Sequence, residues 1–320
     1  MAIELTMGIH VGEENISRQF YKEWVKKLNR MSEDELRINI VYSRFVGIEE
    51  WNMLKSGEID IGRVFTLNME PFPMHTVPAL PFMIPLDSRD LTILNSIYES
   101  FLYKEWNDVK VLWLGLMSPY HIHTSNKMVE KLDDLHGLRI QASGMPAELI
   151  KVWGGIPIEL TAMEGSARQD IKEAQYNAMK TGLIDGTIGT FEVVNDFRLY
   201  EVTRYHTILN VIRDVNGTVI NREVWEKLPY DIQRVFEDSN LSAQQGLDMA
   251  QARETDEGRD LCEGMGHGLI DLPPDEYASW VKACGKMIDE VLAKLDAKGL
   301  PATAIADEIN RLASQLPEEG

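Results

Sequence analysis

The sequence predicts a two-lobed α/β protein, and three observations carry that prediction. The first is the stretch from Gly137 to Gly189, whose period changes repeatedly: strand, helix, strand, helix, strand. That alternation is the grammar of a parallel sheet covered by helices. The second is an echo, in which Leu54-Lys55-Ser56-Gly57-Glu58-Ile59-Asp60 and Met179-Lys180-Thr181-Gly182-Leu183-Ile184-Asp185 share one pattern. Each is an apolar-Lys-hydroxyl-Gly helix end leading into a strand, and helix C-caps in general look alike. Here, however, the strand contexts repeat as well, which reads as two similarly built lobes with a ligand between them. The third is the lack of any linker-like or low-complexity stretch in 320 residues, so the lobes are expected to join through ordered crossings.

Taken in order, Ile3 to Gly8 alternates into a first strand, with His10 just beyond it. Asn15 or Ser17 is placed to cap a helix carrying Phe20, Trp24 and Leu28 on one face. A strand at Ile38 to Tyr42, a helix with Trp51 and Leu54, and the echo strand Ile59 to Val64 follow. Met69 to Pro85 holds five prolines among apolar residues, too many for a helix and too apolar for a surface loop. It reads as extended chain packed over the first lobe. Asp87 is a candidate cap for a helix with the stripe Leu91, Leu94, Ile97, Tyr98 and Phe101.

Val109 to Met117 is an apolar strand, and His121 to Asn126 reads as a crossing into the second lobe. Thr207 to Asn210 and Gly217 to Asn221 recross. Arg222 to Leu228 is a short helix, and Asp231 to Met265 is helical for long enough to lie across both lobes. Leu269 to Leu272 is a last strand, Pro274 to Ala297 an amphipathic helix, and the charged end after Gly299 reads as partly loose. The expected lobes are 1–124 with 211–250, and 125–210 with 251–320.

Composition narrows the function. Lys and Arg total 32 against 51 Asp and Glu, a net charge of −19, which argues against nucleic acid and anionic membrane surfaces as partners. No apolar run approaches a membrane span, and the first residues do not form a signal peptide. The cysteines, Cys262 and Cys284, are open to two readings, a bridge or two buried thiols, and their spacing matches no metal site. There is no GxSxG elbow, HExxH, Walker loop or CxxC. His121 and His123 share one strand face, but no third metal ligand lies near them in sequence.

The chain resembles the periplasmic solute-binding proteins of TRAP (tripartite ATP-independent periplasmic) transporters, the DctP-like family, over nearly its whole length. The resemblance is carried by Gly137-Leu138-Arg139-Ile140, Gly155-Ile156-Pro157-Ile158, Ala178 to Gly186 and Pro78-Ala79-Leu80-Pro81-Phe82, with Thr124-Ser125-Asn126 and Leu228-Pro229 also fitting. It implies a periplasmic-binding-protein-like fold with hinged crossings. It also implies capture of a small, usually carboxylate-bearing solute without turnover, and delivery to membrane permease subunits. A periplasmic location, a leader removed ahead of Met1, a monomer and no cofactor are implied likewise. An enzyme acting on a small metabolite in the same cleft, or a sensor-associated binding protein, are the alternatives.

The resemblance also sharpens the site. The family's usual carboxylate-binding arginine, two positions past the Gly-Leu-basic triplet, is Gln141 here, and a second arginine position maps to His121. Taking a carboxylate out of water is costly unless a cation meets it. His121 if protonated, Arg168 in a segment from Met163 that runs longer than the family pattern, and Arg63 beyond the first-lobe echo are the candidate replacements. Each also reads as a structural or surface-paired side chain. Phe65, Ser143, Gly189, Phe191, Asn216 and His10 complete the candidate ligand set from their places at strand ends. Arg213 and Asp214 are open between the cleft and the crossing. A subset of the family places a metal-binding Glu-Trp where this chain has Ile188-Gly189, so no metal is expected there.

Overall fold

In a computed structural model that describes residues 2–10, 15–42, 47–160 and 168–317, with Arg168 described by its backbone alone, helices and strands alternate over most of the chain. In chain order they are β1 (Ile3–Ile9), α1 (Ile16–Met31), β2 (Leu36–Tyr42), α2 (Ile48–Ser56), β3 (Ile61–Phe65), α3 (Asp90–Ser100), β4 (Val109–Leu116), β5 (His121–Thr124), β6 (Arg139–Gln141), α4 (Gly144–Val152) and β7 (Ile156–Ile158). Then come α5 (Arg168–Lys180), β8 (Gly186–Gly189), α6 (Phe191–Asp196), β9 (Tyr205–Ile208), β10 (Val215–Asn221), α7 (Arg222–Lys227), α8 (Tyr230–Gly264), β11 (Gly268–Asp271), α9 (Pro274–Asp296) and α10 (Ala302–Gln315). Two compact units result: Met1–His75, Leu94–Met117 and Asp214–Glu254 in one, and Thr76–Ile93, Ser118–Arg213 and Thr255–Gly320 in the other.

The first unit holds a sheet in the order β2-β1-β3-β10-β4. β1 runs parallel to β2 and β3, and the returning β10 lies antiparallel between β3 and β4. Helix α1 forms because Asn15 accepts the Arg18 N–H at 3.2 Å and because Tyr21, Trp24, Val25 and Leu28 fall on one buried stripe. That stripe closes a core with Leu5, Met7, Trp113, Phe236 and Leu247.

The second unit holds a sheet in the order β11-β9-β5-β8-β6-β7. β6, β7 and β8 are parallel, while β5 is antiparallel to both β8 and β9. The expected boundary at 124 leaves β5 with the first lobe, whereas its ladder bonds to β8 and β9 put it in the second unit.

The echo is built into the backbone twice. Gly57 and Gly182 both take left-handed φ, 74° and 71°, which a side chain resists. Glu58 N–H bonds back to Met53 at 3.0 Å, and Leu183 N–H to Ala178 at 2.9 Å. Three residues past each glycine stands an aspartate. Asp60 exchanges two bonds with Thr6 of β1, its N–H to the Thr6 carbonyl and its carboxylate from the Thr6 N–H. Asp185 does the same with Arg139 of β6. The carbonyls of both then accept from the antiparallel neighbour, Asn221 N–H for Asp60 and Ser125 N–H for Asp185.

Two expectations are corrected, and the open reading of the cysteines is decided. From Thr76 onward the proline-rich segment belongs to the second unit: Phe82 N–H bonds Val211 at 2.7 Å and its ring meets Tyr277 at 5.4 Å. The C-terminal end is not loose up to Gln315, because Ala302, Ile305, Ala306 and Ile309, at helical spacing, are buried along α10. Cys262 and Cys284 are separate free thiols, both buried. Among the described residues no helix is long and apolar enough to cross a membrane.

Replacing Asp60 or Asp185 by Ala removes the acceptor of a strand N–H. Each variant is expected to lose about 1–2 kcal/mol in urea unfolding; the Arg139–Asp185 ion pair, about a third exposed on both sides, adds little. Unchanged midpoints in both variants would show that these joints do not set the strand ends.

Candidate functional site

Four of the candidate residues gather in the first unit, where β1 and β3 end and β10 begins. Arg63 and Phe65 lie two apart on β3 and so share a face. The Arg63 guanidinium carbon stands 4.9 Å from the Phe65 ring centroid. The His10 ring meets the same phenyl edge-on at 5.1 Å. Asn216, opposite Phe65 in the β10 register, accepts from Arg63 Nε at 3.0 Å. Arg63 Nη2 donates to Gln251 Oε1 of α8 and faces the Met117 sulfur at 3.4 Å. Nη1 makes no hydrogen bond among the described residues.

The charge balance of this cluster is unusual. Arg63 is only 6% exposed. Its partners are an amide oxygen, a second amide oxygen, a thioether and a ring face, all neutral. Among the described residues no carboxylate lies within ion-pairing distance of it. Two buried carboxyls stand near. Burial pushes Glu50 up to about 8, opposed only in part by the Arg63 main-chain N–H and charge, so at neutral pH it is largely protonated. Its Oε2 is 3.6 Å from His10 Nδ1. Burial likewise raises Asp214 to about 7 against the Leu67 N–H, which it accepts at 2.8 Å, and the Thr66 hydroxyl. Asp214 therefore ties β3 to the crossing, and Arg213 pairs with Asp90 in the second unit.

In the second unit Gln141 closes β6, in register with Thr187 of β8. Its amide oxygen accepts from Thr187 Oγ1 at 2.8 Å and from Gln175 Nε2 at 3.1 Å, and Gln175 donates to Thr187 at 2.7 Å. The triad consumes the Gln141 oxygen and orients its –NH2 as the remaining donor. Ser143 is exposed at the N-cap of α4 with its hydroxyl unused in capping. Gly189 ends β8, and its carbonyl faces His123 Nε2 at 3.1 Å. Phe191 is 1% exposed and packs on His121, His123 and His206 with centroids 5.1–5.4 Å away, so its ring is committed to the core of this unit.

One role is corrected. His121 cannot serve as a protonated counter-ion at neutral pH: burial, with Arg259 and His206 nearby, lowers it to about 3, and its Nδ1 accepts the Leu209 N–H at 3.2 Å. Arg168 opens α5, and the segment before it, 161–167, lies outside the described residues. Sequence reasoning missed Glu50, Gln251 and Gln175, all on helices, where a polar side chain reads as a solvated face. One signal existed for Glu50. A Cβ on Gly62, inside β3, would meet Leu54 at 3.1 Å and Glu50 Oε1 at 3.3 Å, and a strand glycine marks such a close approach.

The profile of the bacterial extracellular solute-binding proteins, family 7 (DctP), matches residues 7–295. The C4-dicarboxylate-binding periplasmic protein DctP of Rhodobacter capsulatus is 22% identical over 201 residues, 58% of this chain and 54% of that protein. A TRAP solute-binding protein of Rhodoferax ferrireducens, solved with copurified benzoate, superposes with a TM-score of 0.86 at 18% identity, covering 98% of both chains. The sugar acid binding protein DctPAm of Advenella mimigardefordensis, solved with galactonate, gives 0.81 at 15% identity, covering 97% of this chain and 99% of that one. At these identities the two structures establish a shared fold, that of two-lobed solute-binding proteins.

The raised carboxyls set a pH dependence. A group whose folded pKa lies above its unfolded value contributes fully below the unfolded value and loses that contribution as pH rises to the folded one. For Glu50 that window runs from about 4.5 to about 8. Glu50→Gln is therefore expected to gain in melting temperature relative to wild type as pH is raised from 5 to 8. A constant difference across that range, measured by calorimetry, would contradict the burial-driven shift.

Proposed function

The chain belongs to the bacterial extracellular solute-binding proteins of family 7, and from that premise we propose that it is the receptor of a TRAP transporter for a small organic acid. The observation that carries the choice of solute is Arg63. Its guanidinium is buried, every group that it touches is neutral, and Glu50 keeps its proton at neutral pH. A buried cation with no formal counter-charge is stabilised by an anion brought from outside, and a carboxylate fits the guanidinium fork. Phe65 and His10 offer ring faces beside it.

Arg63 thus takes the task that the family pattern gives to an arginine at the position of Gln141. Gln141, with its –NH2 oriented by Thr187 and Gln175, is proposed as a neutral donor to the solute. Ser143, Gly189 and Asn216 are proposed as further polar contacts, and His121 as a neutral one. Benzoate and galactonate in the two superposed proteins are consistent with an acid group as the shared feature of such solutes. The protein acts in the periplasm as a single copy, hands its solute unchanged to membrane permease subunits, and needs no cofactor. Binding without turnover follows the family and the want of an acid–base–nucleophile set in the sequence.

A thermal-shift panel of aromatic acids, sugar acids, dicarboxylates and uncharged polyols tests this. One class of acids is expected to raise Tm, since ligand at 100 times Kd adds about 2.7 kcal/mol to the folded state. Arg63→Ala and the milder Arg63→Lys are both expected to lower the affinity at least tenfold, and Gln141→Ala to weaken it while leaving the unliganded Tm within a few degrees. Equal shifts from polyols and acids, or an unchanged affinity in Arg63→Lys and Arg63→Ala, would refute the assignment.

A further inference from the structure

His121 and His123 lack a third ligand in the neighbouring sequence, but the fold supplies partners from far along the chain. β5 and β9 pair antiparallel with His123 directly opposite His206. β11 adds to the other side of β9, which brings His267, one residue before it, alongside His206. Helix α8 carries Cys262 to the same spot. His206 Nε2 and His267 Nδ1 are 3.0 Å apart, and with Cys262 Sγ the three ligand atoms lie within 4.8 Å of one another. His206 and Cys262 are fully buried and His267 is 8% exposed.

The hydrogen bonds dictate which nitrogens carry protons. The Gly189 carbonyl only accepts, so His123 Nε2, 3.1 Å away, is the donor. In a neutral ring His123 Nδ1 must then accept, which makes His206 Nδ1 the donor across 2.8 Å. His206 Nε2 is left with its lone pair, which accepts from His267 Nδ1 across 3.0 Å beside Cys262. A metal-ligating histidine held by a bond to its other ring nitrogen has this arrangement, with His123 as the group that orients it.

We propose that His206, His267 and Cys262 form a binding site for a thiophilic transition-metal ion. Two nitrogens bound to one such ion at about 2.0–2.1 Å stand roughly 3.3 Å apart in tetrahedral geometry, so the observed pair needs to open by only a few tenths of an ångström. On binding, the Cys262 S–H bond breaks and its proton leaves to solvent, while sulfur keeps the electron pair and gives it to the metal. His267 ligates through Nδ1 and carries its proton on Nε2. The contacts that yield are the 3.0 Å bond that His267 Nδ1–H donates to His206 Nε2, whose proton moves to His267 Nε2, and the long one, 3.5 Å, between Nε2 and the exposed Arg204.

Charge favours a monovalent ion: one thiolate, two neutral imidazoles and Cu⁺ sum to zero, whereas Zn²⁺ leaves a buried positive charge. The site would clamp β9, α8 and the start of β11 together, as a staple of the second unit rather than a part of solute recognition.

The test uses the full chain, stripped of metal and titrated anaerobically with Cu⁺ and, separately, Zn²⁺, while Co²⁺ serves as a spectroscopic probe. One equivalent of Cu⁺ is expected to bind and raise Tm, and Co²⁺ to give a thiolate charge-transfer band. Cys262→Ser and His267→Gln should each lower the affinity at least tenfold, while Cys284→Ser, which alters the other buried thiol, should leave it unchanged. Should Cys262→Ser not fold, the Co²⁺ band of the wild type decides alone. Tight Zn²⁺ binding that depends on Cys262 also supports the site. No stoichiometric uptake of either ion, binding indifferent to Cys262, or Co²⁺ bound without the thiolate band overturns it.

Discussion

A carboxylate at the foot of each central strand sets the positions of the groups at the strand's far end. Asp60 and Asp185 each lock a strand start to the parallel neighbour through a pair of bonds and to the antiparallel one through a carbonyl. Side chains along a strand alternate, so a slip of one residue would turn Arg63 and Phe65 to the opposite face of β3, and Thr187 away from Gln141. The left-handed glycine before each aspartate ends the helix at a fixed residue, and the register follows from that stop. Two aspartates thus determine which polar groups each unit presents.

The first unit presents a charge. Burying a guanidinium among neutral partners is costly, and a protein meant only to be stable would pair it or replace it. Glu50 is close enough to feel the Arg63 charge, yet its own burial keeps it protonated. The two desolvation effects work in one direction, leaving the cluster net positive at neutral pH. The second unit presents amides and hydroxyls instead, and its four buried histidines, His121, His123, His206 and His267, are all shifted toward the neutral form, chiefly by burial. On the proposed assignment the cation comes from the first unit, whereas the family resemblance puts it in the second.

Much of this was legible in the sequence. The echo at Gly57 and Gly182, the cap at Asn15, the long helix and the departure at Gln141 are all local signals, and local signals survive folding. Arg63 and Phe65 were also reachable, because both lie on the strand that the first echo opens, and His10 because it directly follows the first strand. What the sequence concealed is what depends on pairing between distant segments. His121 looked able to protonate until the Leu209 N–H and its burial came into view. Cys262 and His267 lie five residues apart in a spacing that matches no common metal motif, and His206 is far from both in sequence; only the register of β9 with β5 and β11 assembles them. The stripe at Ala302, Ile305, Ala306 and Ile309 was readable, and the surrounding charge masked it.

The measurement that bears most directly on the account is a crystal structure of the chain with the acid it binds best. The account places the solute carboxylate at hydrogen-bonding distance, about 3 Å, from the Arg63 guanidinium, with Nη1 as a donor. A bound acid whose carboxylate is met by another cation, with Arg63 still held only by Asn216 and Gln251, would contradict it.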